Sequence, residues 1–388
     1  MRRGRVDVSL LTTGHDVADA RLHRLAAIML AQGLTVEVHG LGTAGGGPPG
    51  TTVRARPRGG LLHRAVRALL LPWAATGRVV VVLDPELVAP AVLHRVLARH
   101  RGSAGRLVVD VHEDYRKTLA DRSWARGLRL TIARAVVATA TWAATLADLT
   151  LVADDHLPPG RPRSRLVVRN IPLREMLPPP TVPETRPRAL YVGDVRRSRG
   201  LHAMLALLEA CPDWSLDVVG PVAAADRQWL AEWRATSLAR DRVVFHGRKP
   251  PREAWRLASG AWVGLCLLEP TPAFVNALPT KVLDYLACGL GVVTSPLPRS
   301  AALVRESGAG AVAADVEAAA STLRRWAQAP DDLRARQAAA RSWSAVNLDP
   351  DDHYGEFGER MTRLVRDRGD LTTDDPVRVE PRGVPWRF

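Results

Sequence analysis

Three stretches of the sequence combine residue types that do chemistry with places where a chain can hold a ligand. Asp110-Val111-His112-Glu113-Asp114-Tyr115 sets a histidine among three acids directly after a β-branched run. Imidazole and carboxylate there offer donors and acceptors in fixed geometry, suited to sugar hydroxyls. Adjacent side chains diverge, so a metal would need partners from elsewhere; acids capping a helix N-terminus are the structural alternative. Tyr191-Val192-Gly193-Asp194-Val195-Arg196-Arg197-Ser198-Arg199-Gly200-Leu201 reads as strand, glycine turn, three arginines and helix start. Glycine lets backbone approach a ligand, arginines beside a helix N-terminus attract anions, and a diphosphate is the natural guest. The third stretch, Glu269 to Gly289, passes through a loop into a helix at Pro279-Thr280, with Lys281 and Asp284 three apart on one face. Solvent-exposed helix residues are the plain alternative for that pair. Only Lys117, Lys249 and Lys281 are lysines among 54 basic residues, so a lysine at this helix start hints that a compact ammonium is needed.

These stretches need a scaffold, and the rest of the chain supplies an α/β one. Short apolar or β-branched runs predict strands at 6–11, 34–39, 78–83, 106–111, 149–152 and 165–168, then at 189–192, 215–219, 243–245, 262–267 and 291–294. Amphipathic segments at 18–31, 61–75, 88–101 and 119–147 predict helices between the first set. Alternation of this kind makes βαβ units and parallel sheets, and its restart after a proline-rich segment predicts two doubly wound, Rossmann-like domains facing across a cleft. The expected divisions are an N-terminal acceptor-binding domain, 1–172, a linker, 173–187, and a nucleotide-sugar-binding domain, 188–349. A helix at 350–368 would cross back to the first domain, and 369–388 would be a loose tail.

Composition removes other classes. The formal charge is +14, but residues 1–172 hold 25 basic and 13 acidic residues, whereas the rest is nearly balanced. A solvated basic face and an anionic membrane or lipid-linked partner both fit that asymmetry. Nucleic acid does not, because aromatic residues are few and no helix-turn-helix, zinc-finger or RNA-binding signature is present. The uncharged apolar stretch between Arg134 and Asp148 is 13 residues, against about 20 for a membrane span. Three distant cysteines form no CxxC pair, so neither a zinc site nor a disulfide framework is expected, and the compartment expected is the cytosol. Gly40-Leu41-Gly42-Thr43-Ala44-Gly45 matches GxGxxG. The following Gly46-Gly47-Pro48-Pro49-Gly50 cannot open the helix a dinucleotide site requires, and no GxxxxGK[ST] exists.

Taken in order, Asp110 to Tyr115, Val168-Arg169-Asn170-Ile171-Pro172, Tyr191-Val192-Gly193 with Arg199-Gly200, and Pro270 to Gly289 with Pro279-Thr280-Lys281 resemble bacterial glycosyltransferases of family 4. Thr13 to Arg24, with Asp19 and Arg21 in an Asp-x-Arg pattern, resembles that family's first loop and helix. The resemblance implies the GT-B architecture and a metal-independent, hexosyltransferase-type reaction. A nucleoside-diphosphate sugar is co-substrate, no cofactor takes part, and the anomeric configuration is retained. It implies catalytic roles for His112, Arg199 and Lys281, donor binding by Gly193, Arg196, Arg199, Asn276, Thr280, Lys281 and Asp284, and acceptor binding by Asp19, Arg21 and Glu113. The acceptor would be a carbohydrate, a lipid-linked sugar or a small molecule, in cell-surface polysaccharide, glycolipid or natural-product glycosylation. The location implied is the cytoplasm, in solution or peripherally on the inner face of the membrane. Asp194 stands where many members have arginine, Gly291 where proline is common, and Asn276 and Asp284 where they pair glutamates. Those departures leave donor identity open and keep two alternatives in view: a nucleotide-sugar epimerase and a catalytically silent binding subunit.

Overall fold

Four consecutive valines, Val79–Val82, suit a strand covered on both faces, and in the computed structural model they run through the middle of a parallel sheet. The structure describes residues 6–100, 105–119 and 125–367. It divides into two units: the chain through Asn170 together with the segment beginning at Asp351, and Ile171–Pro350.

The first unit holds β1 (Val8–Asp16), β2 (Val36–Leu41), β3 (Thr52–Arg56), β4 (Val79–Val82), β5 (Arg106–Val111), β6 (Leu149–Val152) and β7 (Arg165–Val167), parallel in the order β3-β2-β1-β4-β5-β6-β7. Its helices are α1 (Ala20–Ala31), α2 (Leu61–Ala74), α3 (Pro85–His100), α4 (Tyr115–Thr118) and α5 (Gly127–Ala144). The second unit holds β8 (Arg188–Val192), β9 (Ser215–Val219), β10 (Val243–Gly247), β11 (Val263–Cys266), β12 (Gly291–Thr294) and β13 (Gly310–Val312), parallel in the order β10-β9-β8-β11-β12-β13. Around it lie α6 (Leu201–Ala210), α7 (Arg227–Thr236), α8 (Pro251–Arg256), α9 (Thr280–Ala287), α10 (Pro298–Ser307), α11 (Val316–Gln328) and α12 (Pro330–Asn347). The last helix, α13 (Pro350–Arg366), packs in the first unit, burying Tyr354, Phe357, Met361 and Val365.

In each sheet the order reverses once, at β1/β4 and at β8/β11, and parallel sheets bind ligands beyond the carboxyl ends of such strands. The right-handed crossover rule sends α2, α3 and α5 to one side of the first sheet and α1 to the other. Two strands escaped the pattern. β3 alternates exposed and half-buried residues at an edge, so its arginines disguise it, and β13 has three residues. The helix expected over 119–147 is instead α5, starting at Gly127; residues 120–124 and the expected tail at 369–388 lie outside the described residues.

Candidate functional site

At the switch point of the second unit, β8 ends at Val192 and Gly193 turns the chain with φ +143°. A Cβ there would stand 3.2 Å from the Lys281 ammonium, which lies 3.8 Å from the centroid of the Tyr191 ring. Lys281 is 7% exposed, and its Nζ makes no hydrogen bond among the described residues. A desolvated charge supported only by a ring face is poorly compensated, and an incoming anion would satisfy it. The helix that carries it, α9, has no side-chain cap at its N-terminus, where Pro279 precedes Thr280. Tyr285 fastens α9 in place: its hydroxyl donates to the Leu265 carbonyl and accepts from the Val192 amide, both at 3.2 Å. Gly264 makes room for that ring, since a Cβ there would come within 2.2 Å of it.

The arginine turn lies beside this point. Gly200, at φ +92°, lets α6 start where a Cβ would meet the Leu267 carbonyl oxygen at 2.3 Å. The Arg199 guanidinium lies 5.4 Å over the Phe274 ring. Arg196, expected on the donor, pairs with Asp194 at 2.8 Å, and Arg248 approaches the same carboxylate at 3.6 Å. The aspartate found where the family often has arginine therefore holds two arginines. Asn276 is exposed on the loop before α9, and its carbonyl accepts from Arg299. Asp284 is buried one turn along α9 from Lys281, so neither is the solvent-exposed helix residue that spacing alone allowed.

In the first unit, the Asp-x-Arg pattern is spent on the chain itself. Asp19 caps α1 by accepting from the Arg21 amide at 2.8 Å. The Arg21 side chain, 4% exposed, gives Nε and Nη2 to Asp110 at 3.1 and 2.6 Å, and Nη1 to the Val168 carbonyl and Asn170. Expected to meet the acceptor, Arg21 instead ties α1 to the ends of β5 and β7. His112 Nδ1 lies 3.5 Å from Asp110, its ring edge-on to those of His15 and Tyr115. Burial opposes the imidazolium, but the Asp110 carboxylate outweighs it and raises the His112 pKa to about 9. Asp114 caps α4, accepting from the Lys117 amide, as the structural alternative had it; Glu113 is half-buried, near Thr118 Oγ1.

A second group at the β1/β4 switch point had no role in the sequence reading. Asp84 follows β4 and accepts from Thr12 Oγ1, the Thr13 amide and the Gly14 amide at 2.5 to 3.0 Å, with His15 and Arg64 at 3.6 and 3.7 Å. Burial works to raise its pKa; His15, Arg64 and these bonds bring it down to about 2. Beside it is a cavity of about 170 Å³ lined by Thr13, Gly14, Arg58, Arg64 and Arg67. An acid between a strand end and a Pro-initiated helix, Leu83-Asp84-Pro85, was the available signal. Among the described residues no three His, Cys, Asp or Glu side chains are placed to hold a metal ion.

Residues 174–343 match the family described as Glycosyl transferases group 1. No curated protein matches the chain significantly in sequence. Among solved structures, the chain is similar to sucrose-phosphate synthase from Thermosynechococcus elongatus, with 15% identity, 93% of this chain and 99% of that one covered, and a TM-score of 0.68. It is similar also to HepE of Anabaena, solved with UDP and glucose (14% identity, 92% and 99% covered, TM-score 0.67). A third is WaaG, a glycosyltransferase involved in lipopolysaccharide biosynthesis (16% identity, 92% and 100% covered, TM-score 0.60). The chain has the GT-B fold, built of two Rossmann-like units.

Proposed function

We propose that this chain is a retaining glycosyltransferase that moves a sugar from a nucleoside-diphosphate sugar to an acceptor hydroxyl. The observation that carries the reading is the Lys281 ammonium, buried without a hydrogen-bond partner among the described residues, against a Gly193 whose missing Cβ leaves the approach open. A diphosphate supplies what that ammonium lacks. Lys281, Arg199 and the start of α9 would meet the charge that grows on the departing diphosphate, each such donor contributing roughly 3 kcal/mol to the transition state. The acceptor hydroxyl attacks from the face the diphosphate leaves and passes its proton toward the leaving phosphate, which gives retention without a protein nucleophile.

His112 has the complementary part. Held as the imidazolium near neutral pH, it donates hydrogen bonds to sugar hydroxyls and cannot serve as a general base. Asp19 and Arg21 position α1 for the acceptor side, and the arginine-lined cavity beside Asp84 suits an acceptor with an anionic group. The three cysteines are buried free thiols, which agrees with a cytoplasmic location. Incubation with a panel of nucleotide sugars, UDP-glucose among them, tests the reading. Release of free nucleotide with a glycosylated product whose anomeric centre matches the donor, assigned by NMR, is the expected result. An isomerised donor without transfer, an inverted product, or nucleotide-sugar binding indifferent to Lys281→Met would overturn it.

A further inference from the structure

Three neighbouring helices of the first unit turn the usual amphipathic arrangement outside in. Against the sheet, α2, α3 and α5 present mainly small residues: Ala68, Ala91, Ala140, Ala143 and Ala144 lie in the core with Val80, Val82 and Val109, joined there by Leu87 and Val88 of α3. Most of their larger apolar side chains point away. Among the described residues, 17 large apolar side chains are exposed, and 13 of them belong to these three helices. Exposed apolar residues scattered singly need no explanation; a concentration on one layer does.

The spacing within each helix shows that this is a face. On α2, Leu62, Val66, Leu69 and Trp73 recur at intervals of four, three and four, Leu70 is exposed beside Leu69, and Leu62 is 78% exposed. Leu93, Val96 and Leu97 make the corresponding stripe on α3. On α5, Leu128, Ile132 and Val136 follow at intervals of four, and Trp142, 64% exposed, lies further along the same helix. α2 touches α3 and α3 touches α5, so the three stripes adjoin.

Charge on the same helices is of one sign. Glu86 is the one acid in the sequences of α2, α3 and α5, and it is occupied by Arg64 and Thr13. Arg129 and Arg134 are exposed on α5, and Arg67 is half-exposed on α2. A second copy of this chain would bring arginine to arginine across the contact, which opposes self-association. An apolar face studded with arginine and free of acids is complementary to an anionic lipid surface, where the apolar side chains enter the acyl boundary and the arginines meet phosphate. No helix among the described residues is long and apolar enough to cross a membrane, so the contact is one of lying on the surface.

We propose that the outer face of α2, α3 and α5 docks the chain on an anionic bilayer. The proposal stands on exposure and charge and does not depend on the transfer reaction. In flotation assays the full-length protein should rise with phosphatidylcholine vesicles that contain phosphatidylglycerol, and stay down with phosphatidylcholine alone or in high salt. Leu70→Gln combined with Trp73→Gln should weaken partition at least tenfold, which is less than the full transfer value of the two side chains. Arg129→Glu combined with Arg134→Glu should weaken it at least as much, at roughly fivefold per arginine. Leu238→Gln, an exposed apolar residue elsewhere, should leave partition unchanged, and all variants should melt as the wild type does. Absence of flotation with the anionic vesicles at low salt would overturn the proposal. So would partition indifferent to both double variants, or a soluble dimer that Leu70→Gln with Trp73→Gln dissociates.

Discussion

Lys281→Met keeps most of the length of the side chain and removes a buried charge whose described support is the Tyr191 ring. Because the protein alone gains little from that ammonium, the variant should melt at or above the wild-type temperature while losing the shift that a nucleoside diphosphate gives. Its kcat should fall roughly a hundredfold. Asp284→Asn retains shape on the same helix face and should act mainly on the donor KM, the pattern of an interaction similar in ground and transition states. Steady-state kinetics on the pair, with thermal melts in the presence of UDP, separates these outcomes from a purely structural role. His112 adds a pH signature. Its folded pKa of about 9 exceeds the ordinary 6.5, so its pairing with Asp110 stabilises fully below pH 6.5 and the stabilisation is lost as pH rises through 9. Urea titrations of the wild type should show stability declining across that window, and His112→Gln should flatten the decline; an unchanged slope would remove His112 from the account.

α9 acts as a mount, and its precision depends on a glycine in the strand beneath. With Gly264 changed to alanine, the new Cβ would overlap the Tyr285 ring, and the two bonds through which Tyr285 holds α9 to β8 and β11 would be displaced. Overpacking of this sort costs about 1 to 3 kcal/mol, and nucleotide affinity should fall along with stability because Lys281 rides on the displaced helix. Calorimetric titration with UDP alongside thermal melts measures both. The β runs and most helices were legible in the sequence because apolar periodicity is local. This dependence was not, since Gly264 and Tyr285 are 21 positions apart and only packing makes one the reason for the other.

The first unit is closed by chain from both ends of the sequence. α13 buries Tyr354, Phe357, Met361 and Val365 there, accepts from Arg78 at the Val365 carbonyl, and reaches Ser164 through Arg360. Truncation after Leu348 should cost roughly 2 kcal/mol for each of four large apolar side chains. Lowered melting and faster amide exchange in α1 and β7 would report it. Wild-type exchange in those elements would show that α13 is dispensable to the unit.

Local pattern determined a good deal of this protein. Strand and helix periods, the proline-rich break, the strand-end positions of His112 and Gly193 and the helix-start position of Lys281 follow from neighbours in the chain, and so does the excess of arginine in the first half. Tertiary structure decided which functional groups remain for a ligand. Arg21 and Arg196 are arginines in promising motifs, yet Asp110 and Asp194 engage them; Lys281 is left without a hydrogen bond among the described residues because the groups around it are a ring and a glycine. Tertiary structure also chose which side of α2, α3 and α5 meets the sheet. Helical periodicity tells which residues share a face, but the face that packs is set by how closely the backbone must approach, and here the alanines fit beneath while most of the leucines and both tryptophans remain outside.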